Sequence, residues 1–162
     1  KLGGPAPNGG VSSLEAEFDQ NACTTDTNAP GTDVGCPTNL RRVPAGRVLP
    51  FSPKWTTNAG IHYELEAGNN LRITPRLQWS HLSQQVATPF PSFNTIVPGR
   101  DVFDARLTIE IGERWAIEGF VNNFTDERYI ASQIQNSSSA DGGTIYGAPR
   151  TWGARLRISF GS

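Results

Sequence analysis

The side chains able to do chemistry in this 162-residue chain are few: two cysteines, two histidines, and 14 basic against 15 acidic residues. Cys23 and Cys36 allow a single pairing. In an oxidising compartment a disulfide closing a loop of this size stabilises a fold by about 3 kcal/mol, and the alternative is two free thiols. A zinc centre needs more ligands than two cysteines with no histidine beside them. His62 and His81 would need a nucleophile and an orienting carboxylate in one pocket, and no spacing in the chain supplies that set. No phosphate-cradling glycine loop occurs. The residues therefore predict no enzyme, no metal site and no cofactor. A net charge of −1 without a basic tract leaves no electrostatic footprint for nucleic acid.

What remains is a set of charged residues in a regular pattern, and the pattern belongs to strands. Across 151–160, Trp152, Ala154, Leu156, Ile158 and Phe160 alternate with Gly153, Arg155, Arg157 and Ser159. Such alternation gives one apolar face and one cationic face. Five further segments alternate, at about 11–19, 54–65, 71–82, 101–111 and 115–124. Their polar faces, with that of the last segment, carry Arg72, Arg76, Asp104, Arg106, Glu110, Glu118, Arg155 and Arg157. These residues are expected to line one surface, either as cross-strand ion pairs or as contacts to a solute. Pro75 lacks a backbone donor and predicts a bulge inside 71–82.

The connections alternate in length: long at 20–53, short at 66–70, long at 83–100, short at Gly112-Glu113, and long again at about 125–150. Segments of about ten residues joined in this way are the signature of tilted membrane strands, with short turns on one side and long loops on the other. No apolar run is long enough for a transmembrane helix. The expected fold is all-β: an antiparallel meander of about six strands over residues 1–162, forming a partial transmembrane β-barrel. Its aromatics fall into two belts. Trp55, Trp79, Phe103 and Trp152 lie toward the long loops, and Tyr63, Trp115 and Phe160 toward the short turns. At ~3.3 Å per residue and ~40° of tilt, the step from Trp152 to Phe160 spans roughly 20 Å, close to the ~25 Å apolar band of such barrels. Charged residues on the other face would then line a lumen. A soluble, disulfide-stapled β-sandwich is the competing reading, and it requires the four tryptophans to be buried in protein.

Three stretches carry a family resemblance. They are Val121-Asn122-Asn123-Phe124-Thr125-Asp126-Glu127-Arg128-Tyr129, Tyr146-Gly147-Ala148-Pro149-Arg150-Thr151-Trp152-Gly153 and Leu49-Pro50-Phe51-Ser52-Pro53-Lys54-Trp55. In order and spacing the chain resembles the C-terminal end of TonB-dependent receptors of Gram-negative outer membranes. The resemblance implies a 22-stranded barrel around a plug, of which this chain holds six strands and lacks the plug and about sixteen others. A chain that starts at Lys1 and contains no Met agrees with being a piece. The implied activity is TonB-energised uptake of a scarce solute, most often a ferric siderophore. A passive porin-like or structural barrel is the alternative. The implied partners are membrane lipid, the protein's own plug and remaining strands, the TonB complex through the N-terminal part, barrel assembly machinery through the last strand, and the siderophore. The implied location is the outer membrane, with the loops outside.

Overall fold

The structure, a computed structural model, describes residues 2–19, 22–24, 36, 40–43, 45–68, 70–88, 95–134 and 143–160. In chain order the strands are β1 (Leu2–Ser13), β2 (Ala22–Thr24), β3 (Arg41–Val43), β4 (Trp55–Ala67), β5 (Leu71–Leu82), β6 (Gln85–Val86), β7 (Ile96–Val97), β8 (Arg100–Ile111), β9 (Trp115–Asn122), β10 (Ile130–Ile134), β11 (Gly143–Tyr146) and β12 (Thr151–Ile158). Six of them form one antiparallel sheet in the order β1-β4-β5-β8-β9-β12, and the rest pair as β2-β3, β6-β7 and β10-β11. The six-stranded meander is the expected all-β fold.

Register turns alternation into surface. On one face the cross-strand rows read Ile61, Leu77, Ala105, Val121, Trp152, then Leu65, Ile73, Ile109, Ile117, Leu156. On the other, Arg72 stands beside Glu110, and Arg155 beside Glu118. Gly68 and Gly112, both at positive φ, make the two short turns, and Gly112 N–H donates to the Asn70 carbonyl at 2.6 Å. The two turns are therefore neighbours at one end of the sheet, and the long connections gather at the other.

No second layer covers the apolar face among the described residues. Trp152 is 80% exposed, Leu156 57% and Ile61 48%. Trp55 and Trp115 are each 46% exposed, which the sandwich reading does not allow. The fully buried side chains lie outside the six-stranded sheet: Val43 in β3, Val97 in β7, and Thr95 just before β7.

The structure corrects several sequence-based boundaries. The strand expected at 11–19 is β1, Leu2–Ser13, paired with β4 from Leu2–Leu65 to Ser13–Trp55. Glycines and prolines hide this strand from any alternation signal, and prolines are tolerated because β1 is an edge of the sheet. Past Ser13 the chain leaves the sheet. Phe18 N–H then donates to Arg47 O and Leu49 N–H to Ala16 O, around a Glu17–Val48 bridge. The strands expected at 115–124 and 151–160 stop at Asn122 and Ile158. Phe160 lies past the last pair, Ile158–Trp115, where the 112–114 turn leaves no partner strand, and it is 90% exposed.

The Pro75 bulge does not form. Pairing of β4 with β5 runs from Thr56–Leu82 to His62–Arg76 and resumes at Leu65–Ile73 with unchanged offset. Only the pairs at Pro75 and Thr74 drop out, because Pro75 has no N–H to give β4. Against β8 the ladder is continuous through Pro75–Leu107.

One close approach sets a packing test. A Cβ on Gly153 would stand 2.8 Å from Cζ of Phe120, its cross-strand neighbour. Gly153→Val should lower stability by about 1–3 kcal/mol through overpacking. Ala154→Val, on the bare face of the same strand, should stay within about 0.5 kcal/mol. Thermal unfolding of the intact protein in detergent measures both, and equal losses would contradict the packing assignment.

Candidate functional site

The polar face brings the predicted charged residues together as two acids, each bracketed by two arginines. Glu110 Oε2 lies 3.3 Å from Arg72 Nη1, and Glu110 Oε1 lies 3.8 Å from Arg157 Nη2. Glu118 Oε2 lies 3.5 Å from Arg106 Nη1, and its Oε1 lies 3.7 Å from Arg155 Nη1. The arginines are well exposed, so each pair contributes at most about 1 kcal/mol. The bracketing orders the wall more than it stabilises it. Two predicted residues depart from this scheme. Asp104 accepts the Asn123 N–H at 2.8 Å, and Arg76 faces Arg106 across the ladder.

The apolar face holds the predicted aromatics at several levels. Toward the long-loop end, Trp79 stacks on Phe103 at 6.4 Å, and Phe103 meets Phe124 at 5.7 Å. Trp79 Nε1 donates to Asp101 Oδ1 at 2.8 Å, and His81 Nδ1 lies 3.0 Å from the same oxygen. The indole thus keeps a polar handle at the end of an apolar wall, as interfacial tryptophans do. Trp55 N–H donates to Ser83 Oγ nearby. Trp152 shares a row with Val121, one step further along the wall. Trp115 stands at the short-turn end opposite Ile111 and Ile158. Tyr63 stands opposite Pro5, four positions before the end of β4. Phe124 was not among the predicted aromatics, because it follows the break in alternation at Asn123.

The long connections carry structure of their own. Cys23 and Cys36 form the expected disulfide, beside the β2-β3 hairpin. In the next connection Ala87 N–H donates to Thr95 O at 2.7 Å, and Phe51 N–H donates to Val86 O at 2.8 Å. The latter bond ties the approach to β4 to β6. In the sequence these regions read as plain loops, since strands of two or three residues are too short to show a period.

The third connection is built on a lock between β9 and β12. Asn123 adopts φ 50°, which Asn tolerates better than most residues, and this ends β9. Its Oδ1 accepts the Glu127 N–H at 2.9 Å, and its Nδ2 donates to the carbonyls of Glu127 at 3.0 Å and Ala148 at 3.1 Å. Only 3% of Asn123 is exposed, so these bonds have no water to replace them. Asp126, also at positive φ, accepts the Arg150 N–H on Oδ1 at 3.0 Å. Gly147 N–H donates to Tyr129 O at 2.8 Å, and the Tyr129 ring fills the space a Cβ on Gly147 would need. Arg100 covers that ring with its guanidinium carbon 4.5 Å from the centroid. The lock fixes where the chain leaves the wall and where it returns, so the β10-β11 hairpin springs from a rigid base. The stretch Asn123–Tyr129 is conspicuous in the sequence, but its partners at 147–150 become visible only in three dimensions.

Asn123→Ala should strand the Glu127 N–H and cost about 1–3 kcal/mol. Hydrogen exchange on the intact protein should show faster exchange at Glu127 and Arg150, with Leu77 and Ile109 in the wall unchanged. Unchanged protection at Glu127 and Arg150 would remove the lock.

No family model matches the chain, and no curated protein matches it. Among solved structures it is similar to the crystal structure of the ferric yersiniabactin uptake receptor FyuA from Yersinia pestis, with a TM-score of 0.61 and 21% identity over 68% of this chain. The matched part is 17% of that receptor, so the chain corresponds to a small share of its length. The likeness shows the fold alone: this meander has the architecture of part of a β-barrel wall.

Proposed function

We propose that the chain is the C-terminal part of the barrel of a TonB-dependent receptor that imports a scarce solute, a ferric siderophore in the first instance, across the outer membrane of a Gram-negative bacterium. One observation carries this reading. A single-layer sheet leaves an apolar face bare from Trp79 and Phe103 to Trp115, while its opposite face carries ion pairs. In water such a face is an aggregation site, whereas in lipid it is the expected exterior of a barrel. Fold likeness to an uptake receptor supports import over passive permeation.

In this reading the apolar face meets membrane lipid, and the arginines and glutamates line a lumen filled by the protein's own plug. The connections 20–53, 83–100 and 125–150 stand outside the cell and gather ligand. The lock at Asn123 and the disulfide reduce the conformational entropy lost on capture. The TonB complex acts through the N-terminal part of the receptor, and the barrel assembly machinery engages β12. The chain supplies wall and mouth and catalyses no bond chemistry.

The test is uptake of radiolabelled ferric siderophores by cells with and without the gene encoding the chain. Deletion should reduce uptake of one siderophore to the level of a strain lacking TonB, and restoring the gene should recover it. Uptake that needs the gene but not TonB would identify a passive barrel instead.

A further inference from the structure

We propose that Arg76 and Arg106, with Gln78 and Asn122, form a binding site for a carboxylate on the polar face of the sheet. The face carries six arginines, at 72, 76, 100, 106, 155 and 157, against five acids, at 64, 66, 104, 110 and 118, and Arg100 sits at the long-loop end over the Tyr129 ring. Two cations stand directly opposed in one row. His62 pairs in register with Arg76, Arg76 with Arg106, and Arg106 with Phe120, which pairs with Gly153. That row holds two permanent cations and no acid.

Like charges directly opposed across a ladder destabilise it, whereas the row of Glu66, Arg72 and Glu110 alternates acid with base. Arg106 escapes sideways to Glu118 in the next row. The Arg76 side chain makes no hydrogen bond or ion pair with any described residue. It borders a hollow of about 190 Å³ lined by Gln78, Asp104, Arg106 and Asn122. Asp104, the one acid there, accepts the Asn123 N–H and keeps its charge, Arg106 is shared with Glu118, and the Asn122 amide donates to Thr151 Oγ1 at 3.4 Å. Arg76, beside the Gln78 amide, is therefore the guanidinium in the hollow without an acid of its own, and a planar guanidinium favours a carboxylate in bidentate geometry.

A carboxylate can arrive on a solute or on a segment of the same protein that fills the space beside the wall. The site belongs to the sheet itself, so it stands whether or not the import reading holds. Two arms on the intact protein in detergent distinguish the sources. In the first, Arg76→Lys places an amine in the hollow. Treatment with a water-soluble carbodiimide then joins that amine to any carboxylate in contact, as an amide, and peptide mass spectrometry identifies the acid. In the second, citrate is titrated calorimetrically into wild type, Arg76→Gln and Arg157→Gln.

A cross-link to an acid outside residues 1–162 assigns the site to a protein carboxylate. Citrate binding that Arg76→Gln weakens tenfold or more and Arg157→Gln leaves intact assigns it to a solute. Cross-linking confined to the wall acids Glu64, Asp104 or Glu118, together with citrate binding that does not depend on Arg76, would overturn the proposal.

Discussion

A single layer of strands cannot bury its apolar face against itself, and the rest of the structure follows from that constraint. Trp152 and Leu156 stay more exposed than half, in a sheet whose backbone pairing runs over most of its length. In lipid the priorities of a soluble core reverse. Apolar side chains need no cover, while every unpaired backbone group becomes costly. The β5-β8 ladder is unbroken over twelve residues on each strand, as such an environment would demand. Pro75 removes two pairs from the β4 side only, and the register carries across the gap.

Burial is displaced to the ends of the strands. Val43, Val97 and Asn123 are among the most buried residues, and all lie in or beside the long connections. Among the described residues the connections are held by the disulfide, short paired strands and the Asn123 lock. The six-stranded sheet is held by register and ordered by glutamates that each serve two arginines.

How far the sequence revealed this depended on periodicity. The β5 boundaries at 71 and 82 and the start of β9 at Trp115 agree with the alternation, because both faces there carry strong and opposite signals. β1 was misplaced because its first nine residues are mostly glycine and proline, and its strand character is imposed by the edge of β4. The end at Ile158 was overrun because alternation continues to Phe160, past the last partner, and the end at Asn122 because the positive φ of Asn123, which stops the strand, is not visible in a pattern of residue types. The charged residues of the polar face were legible as a set. Their division into bracketed glutamates, an unmatched Arg76 and an Asp104 turned toward Asn123 was not, since it depends on which rows the register brings together. The disulfide needed only a count of cysteines.

The central claim is that lipid solvates the face bearing Ala105, Leu107 and Ile109 while the face bearing Arg106 and Thr108 does not meet it. Nitroxide labels placed singly at positions 105 to 109 of the intact protein in lipid vesicles measure this through collision rates with dissolved oxygen and with a water-soluble nickel chelate. A two-residue oscillation is expected, with oxygen collisions high at 105, 107 and 109 and low at 106 and 108. A flat profile, or one of opposite phase, would contradict it.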